Sequence, residues 1–248
     1  MRNVLDIDMD FFLKEIPYSI PAGEKRVDDE YYPPWEEKDF RNFLEENCLL
    51  SKEKPTRGKI IKHHDEAFHL FKEKIELGQL AKPFRLTHID GHSDLGLGDS
   101  GWVYISQDLT KYPIAERINN LKLSEVKYSN YVAYLLALGW VSEVDFITPP
   151  DFNFEDFFVL YAKDLNEHTG FFEFKHYGKE YSSMEIIDRA EALLPTTKDP
   201  LIPFKYTEGD DYCAEDKPDF VVFCQSPNYT PKTADYMLDV IKEYIIIE

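Results

Sequence analysis

Short apolar runs alternate with amphipathic, helix-like stretches along most of the chain, and this alternation limits the fold more than any other feature. The runs Asn3-Val4-Leu5-Asp6-Ile7, Lys59-Ile60-Ile61-Lys62, Phe84-Arg85-Leu86-Thr87-His88-Ile89, Val144-Asp145-Phe146-Ile147, Phe157-Phe158-Val159-Leu160 and Phe220-Val221-Val222-Phe223 read as buried strands. Between them, residues 35 to 49 place Phe40, Phe43 and Leu44 on one helical stripe, and residues 66 to 79 do the same with Phe68, Phe71 and Ile75. Residues 124 to 138 carry Tyr128, Tyr131, Val132 and Leu135 before stopping at Gly139, and Thr230-Pro231 opens a C-terminal helix with Met237, Ile241 and Tyr244 inward. Strands that alternate with helices predict an α/β fold, a mainly parallel sheet covered on both faces. Between residues 162 and 218 the pattern is weaker, with an edge strand expected at Phe171-Phe172-Glu173-Phe174 and a helix from Met184 to Leu194. The proline-rich stretch 17 to 35, with Tyr31, Tyr32 and Trp35, reads as a long ordered loop of the kind that lines sites.

The chain's 248 residues suffice for one core, so a single domain spanning residues 1–248 is expected. No run approaches the roughly 18 apolar residues of a membrane span, and Met1-Arg2-Asn3 leads straight into the first strand, so a cytoplasmic protein is expected. Cys48, Cys213 and Cys224 form no paired motif and read as reduced, structural thiols. A formal charge of -19, from 47 acidic and 28 basic residues, disfavours nucleic acid and anionic membranes and steers cations inward. The sequence sets no oligomeric state.

Acidic and imidazole residues fall at the carboxyl ends of three expected strands, where open parallel sheets place their ligands. On an extended strand Asp6, Asp8 and Asp10 share one face, and three adjacent carboxylates repel unless a cation lies among them. Asp90, His92 and Asp94 follow the third strand in a turn whose glycines Gly91, Gly96, Gly98 and Gly101 allow tight convergence. At His63-His64-Asp65-Glu66 one imidazole, His64, completes the set, while His88 suits a place behind the site. The expected metal ligands are therefore Asp6, Asp8, His64, Asp90, His92 and Asp94. Four carboxylates offset two dications, and oxygen-rich ligation without thiolate points to two Mn2+ ions that activate water.

The segments Leu5-Asp6-Ile7-Asp8-Met9-Asp10-Phe11-Phe12, His88-Ile89-Asp90-Gly91-His92-Ser93-Asp94-Leu95 and Ser226-Pro227-Asn228-Tyr229-Thr230-Pro231 resemble the peptide arginase family, within the arginase and deacetylase superfamily. The resemblance implies a three-layer α/β/α sandwich and hydrolysis of arginine side chains in a ribosomally made precursor peptide, giving ornithine and urea. In ordinary arginases the Asp-x-Asp motif follows Asp-x-His-x-Asp, whereas here it comes first, which points to a permuted, arginase-like topology. No histidine shortly after Asp94 matches the arginase proton shuttle, and no acid beside Gln225-Ser226-Pro227 matches its substrate anchor. For this chemistry Asp94 is expected to orient the nucleophile, with Asp10 and His63 carrying protons. Two other readings compete. One is a haloacid dehalogenase-type phosphohydrolase with Asp6 as nucleophile, Asp8 as acid/base and Asp210-Asp211 binding magnesium. The other is a non-catalytic, metal-stabilised module that grips a peptide through Tyr31, Tyr32 and Trp35.

Overall fold

The computed structural model describes residues 1–18, 26–96, 101–150 and 159–248. Pro21, Gly98, Phe157 and Phe158 fall outside these residues. Among the described residues ten strands occur in chain order: β1 (Asn3–Asp8), β2 (Thr56–Ile61), β3 (Phe84–Ile89), β4 (Val141–Thr148), β5 (Phe171–Phe172), β6 (Lys175–His176), β7 (Thr197–Lys198), β8 (Ile202–Glu208), β9 (Phe220–Cys224) and β10 (Ile245–Ile247). Eight of them form one sheet in the order β10-β2-β9-β1-β3-β4-β8-β5, parallel except for the edge pair β5 and β8. β6 and β7 make a separate antiparallel pair.

Helices α1 (Glu37–Asn42), α2 (Asp65–Glu76), α3 (Gly101–Tyr104), α4 (Ile114–Asn120), α5 (Tyr131–Ala137), α6 (Ser183–Arg189) and α7 (Tyr236–Ile241) connect the strands. β1 sits centrally and is buried on both faces, so its alternate side chains feed two cores. Val4 joins Leu86, Phe220 and Val222 beneath α2 and α5, whose Phe68, Phe71, Val132 and Leu135 complete that layer. Leu5 and Ile7 face the other way and meet Phe40 of α1 and Met237 and Ile241 of α7. Each such fully buried apolar side chain contributes about 1.5–3 kcal/mol relative to exposure. The result is a three-layer α/β/α fold with a large, mainly parallel sheet. Among the described residues no helix is long and apolar enough to cross a membrane.

Several elements differ from expectation. β1 ends at Asp8, because Met9–Phe12 turns into a 3-10 helix capped by the Asp8 side chain, so strand alternation does not reach Asp10. Val159–Tyr161 is a 3-10 turn rather than a strand end. The helix expected over residues 124–138 shortens to α5, and α1 passes into a wider π turn at Phe43–Asn47. β8 was not expected: Pro203 and alternating polar side chains hide it, since only Phe204 is buried along its length. β10 also lies where a helical tail was expected; the helix stops at Ile241 and Ile245–Ile247 pairs with β2. Trp35 of the 17–35 stretch packs, partly buried, against the core residues Phe11, Phe12 and Phe43 at 5.9, 5.2 and 5.9 Å.

Candidate metal centre

After β1 the chain crosses to β2 on one side and then returns to β3 on the other, so the carboxyl ends of β2, β9, β1 and β3 frame a switch point in strand order. Three expected motifs meet there. β1 delivers Asp6 and Asp8, and the following turn delivers Asp10. The loop after β3 delivers Asp90, His92 and Asp94, and the β2–α2 junction delivers His64. Glu66 fixes that junction by accepting the backbone N–H of His63 at 2.9 Å and of Lys62 at 3.2 Å.

His64 is the hub. Its Nδ1 lies 3.1 Å from Asp8 Oδ2, 3.0 Å from Asp90 Oδ2 and 3.0 Å from Asp94 Oδ2. A ring nitrogen offers one hydrogen or one lone pair, so hydrogen bonding cannot satisfy three carboxylates at once. Ligands about 2.1 Å from an octahedral cation are spaced about 3.0 Å along each edge, the spacing found here. A second cluster lies alongside: His92 Nδ1 is 3.0 Å from Asp10 Oδ2 and 3.5 Å from Asp90 Oδ1. Asp90 thus presents one oxygen to each cluster. Asp94 Oδ2 and His92 Nε2 are buried without a hydrogen-bond partner. Orphaned polar atoms at converging carboxylates fit a cation site.

The loops are shaped for this convergence. Asp10 Oδ1 accepts the Gly91 N–H at 3.0 Å, and a Cβ at Gly91 would lie 2.8 Å from Ile16 Cγ2 and 3.1 Å from Asp10 Oδ1. Asp94 and Ser226 both adopt left-handed backbone, with φ of 50° and 42°. Such strain persists where surrounding contacts enforce it, and the Ser226 hydroxyl donates to Asp8 Oδ2.

Asp6 sits elsewhere. Its Oδ1 lies 3.2 Å from His64 Nε2, across the ring from the other acids, and its Oδ2 accepts from Tyr131. His88, as expected, stands behind the site, with Nε2 3.4 Å from Asp90 Oδ2 and Nδ1 3.7 Å from Asp6 Oδ2. The structure therefore brings Asp8, Asp10, His64, Asp90, His92 and Asp94 around the two clusters, while Asp6 lies on the far side of the His64 ring, where its carboxylate and the nitrogens of His64 and His88 form a further group close enough to hold a cation. Sequence reasoning gave Asp10 a proton-carrying role, named Ser226 only as part of the third motif, and gave Tyr131 no place in the site. No local motif marks Tyr131, whose helix joins the site only through packing.

Without a cation the charges are frustrated. Burial and the neighbouring charge of Asp90 push the Asp94 carboxyl up to about 7. Burial, with Asp8 and Asp90 nearby, also raises Asp10 well above the usual carboxylate range. Burial works against the charge on Asp6, yet His64 and His88 hold its carboxyl below that range.

The centre floors a cavity of about 130 Å³ lined by Asp8, Asp10, Asp90, Asp94, His63 and the phenols of Tyr18, Tyr128 and Tyr229, among others. Tyr229 packs edge-on against His92 at 4.9 Å and neighbours Tyr128 at 6.0 Å. None of the described lining residues is lysine or arginine. A larger cavity of about 310 Å³ lies towards the opposite ends of the strands, where Arg85 pairs with Glu143 and Lys205 with Asp145. Asp210 and Asp211 belong to none of the metal-competent clusters among the described residues. No protein-family model matches this chain, and no curated protein matches it in sequence.

Proposed function

We propose that this chain is a dinuclear manganese hydrolase that cleaves the guanidino group of arginine residues in a precursor peptide, leaving ornithine and releasing urea. The observation that carries the reading is the meeting of three carboxylates on one nitrogen of His64, with Asp90 shared by a second cluster. His64, Asp8, Asp90 and Asp94 would hold one ion; Asp90, Asp10 and His92 would contribute to the second. Two dications then offset the four carboxylates Asp8, Asp10, Asp90 and Asp94. Cys224 lies near Asp8 and His64, with its sulfur against the Lys62 carbonyl and the Ser226 hydroxyl, and the oxygen-rich set above is complete without it. Oxygen-rich ligation of this kind favours manganese over zinc.

When bound, a pair of such ions supplies Lewis acidity and water activated near neutral pH. The protein's share is positioning. Asp94 orients the attacking water, whose oxygen bonds to the guanidino carbon while the bond from that carbon to arginine Nε breaks. The departing Nε takes a proton, for which His63, on the cavity wall, is the carrier. An acidic cavity ringed by Tyr18, Tyr128 and Tyr229 suits a planar cation, through charge and through cation–π contact. The likeness of the three motifs to peptide arginases adds the choice of peptidyl arginine.

The phosphohydrolase reading gains nothing from this geometry: Asp6 is fully buried behind His64 and does not line the cavity. The peptide-gripping reading loses Trp35, which packs against the core. The test is incubation of manganese-loaded protein with arginine-containing peptides, followed by mass spectrometry. Loss of CH2N2 per converted arginine is expected, dependent on metal and abolished by Asp90→Asn. Unaltered arginine across a broad peptide library, from protein shown to hold two ions, would refute the assignment.

A further inference from the structure

Asp6 is the least explained acid in the chain. It is completely buried, lies in the central strand, and has no lysine or arginine partner among its described contacts. A buried carboxylate costs several kcal/mol unless its surroundings compensate it. Its described side-chain partners are three: His64 Nε2 at 3.2 Å from Oδ1, the Tyr131 hydroxyl on Oδ2, and His88 Nδ1 at 3.7 Å. The same hydroxyl lies 3.1 Å from His64 Nε2 and 3.3 Å from His88 Nδ1. All four side chains are buried, and Asp6, His88 and Tyr131 are absent from the cavity wall. They form a polar cluster enclosed between the centre of the sheet and the first turn of α5.

We infer that Asp6 and Tyr131 form a positioning relay that fixes His64 with Nε2 carrying the proton and Nδ1 free to bind a divalent cation. This inference rests on the metal reading given above and extends it to residues that touch no ion. A neutral imidazole carries its hydrogen on one nitrogen only, and the hydrogen bond made by that nitrogen decides which lone pair remains. Asp6 Oδ1 accepts from Nε2, so the lone pair on Nδ1 faces Asp8, Asp90 and Asp94. Tyr131, by donating to the second oxygen, aims the Asp6 carboxylate at the ring. His88 stands beside the relay, its Nε2 3.4 Å from the Asp90 Oδ2 that also faces His64 but without a hydrogen bond to it. The helix carrying Tyr131 thereby controls the angle of the hub ligand without entering the cavity.

Groups that orient ligating histidines change metal affinity by about 10–100-fold when removed. The experiment titrates Mn2+ into metal-free wild-type protein and the variants Tyr131→Phe, Asp6→Asn and Asp6→Ala, by calorimetry at a temperature where each is shown to be folded. Melting of the metal-free forms is recorded alongside, and the His64 tautomer is read from nitrogen-15 spectra of zinc-loaded protein. Tyr131→Phe and Asp6→Ala are expected to bind at least about 10-fold more weakly. Asp6→Asn, which keeps an acceptor for Nε2, recovers part of that loss. The spectra are expected to show Nε2 protonated in the wild type and a mixed population in Asp6→Ala. Should Asp6→Ala fail to fold, Tyr131→Phe, which removes a single oxygen, decides the matter. Lower melting temperatures with unchanged Mn2+ affinity and tautomer would reduce the cluster to a structural role and overturn the inference alone. A wild-type protein that binds no ion would overturn the metal reading and this inference together.

Discussion

Adding manganese to the chelated protein should raise its melting temperature, and the structure sets the size of the effect. The proposed ligands Asp8, His64, Asp90 and Asp94 come from three separate segments and meet only in the folded sheet, so the unfolded chain has no comparable site. Binding therefore stabilises the native state almost alone. At free ion one hundred times the dissociation constant, the gain is about 2.7 kcal/mol per site. For a domain of this size each kcal/mol moves the midpoint by about 2–4 °C. One occupied site should thus raise it by about 5–11 °C, and a second site should add to that. The assay is a melt followed by circular dichroism, in excess chelator and then across a manganese series. Asp90→Asn, which removes charge from the carboxylate facing both clusters, should flatten the response. A wild-type midpoint that stays fixed to millimolar manganese, or an Asp90→Asn protein that responds as fully, would refute the reasoning.

Two further outcomes follow. In chelated protein, stability should fall as pH rises from about 4 to 7. The Asp94 carboxyl, at about 7 in the folded chain against an ordinary 3.8, holds its proton more tightly when folded, and that contribution disappears as pH passes the folded value. Manganese should reverse the slope, since ions and protons compete for the same oxygens; chemical denaturation at several pH values reads both, and a flat profile in chelator would count against it. Gly91→Ala should weaken manganese binding by about 10-fold or more, because the new methyl presses on Asp10 Oδ1 and Ile16. Calorimetry showing unchanged affinity would mean that the loop relaxes freely.

How much of this could be read in advance depended on whether the signal was local. β1 and β9 are buried on both faces along nearly all their length, and β3 alternates Phe84, Leu86 and His88 inward with Arg85 and Thr87, so the ends of these strands, and the acids on them, could be placed. β8 could not, because it carries Pro203 and alternates polar with apolar residues near the sheet edge. The acids were found as a group, but their order in space was not: the alternation argument assumed an extended chain through Asp10. Asp8 instead caps a 3-10 turn, which swings Asp10 to Gly91 and His92. Ser226 stood in the third motif, but nothing local showed that its hydroxyl would reach Asp8, and Tyr131 arrives from a distant helix through packing alone, with no spacing along the chain to announce it.

Asp8 deserves a last consideration, because its two oxygens answer to different masters. Oδ1 accepts the Asp10 N–H at 3.0 Å and so holds the turn that ends the first strand, while Oδ2 faces His64 and Ser226. Any side chain introduced there alters the path of the main chain as well as the pull on a cation. Asp94 is tied to its main chain in another way, for its left-handed backbone, φ 50°, is held in the loop after β3 while its Oδ2 faces His64. Neither position can therefore change its ligand alone: a new side chain at 8 or 94 calls for a matching change in the turn that carries it.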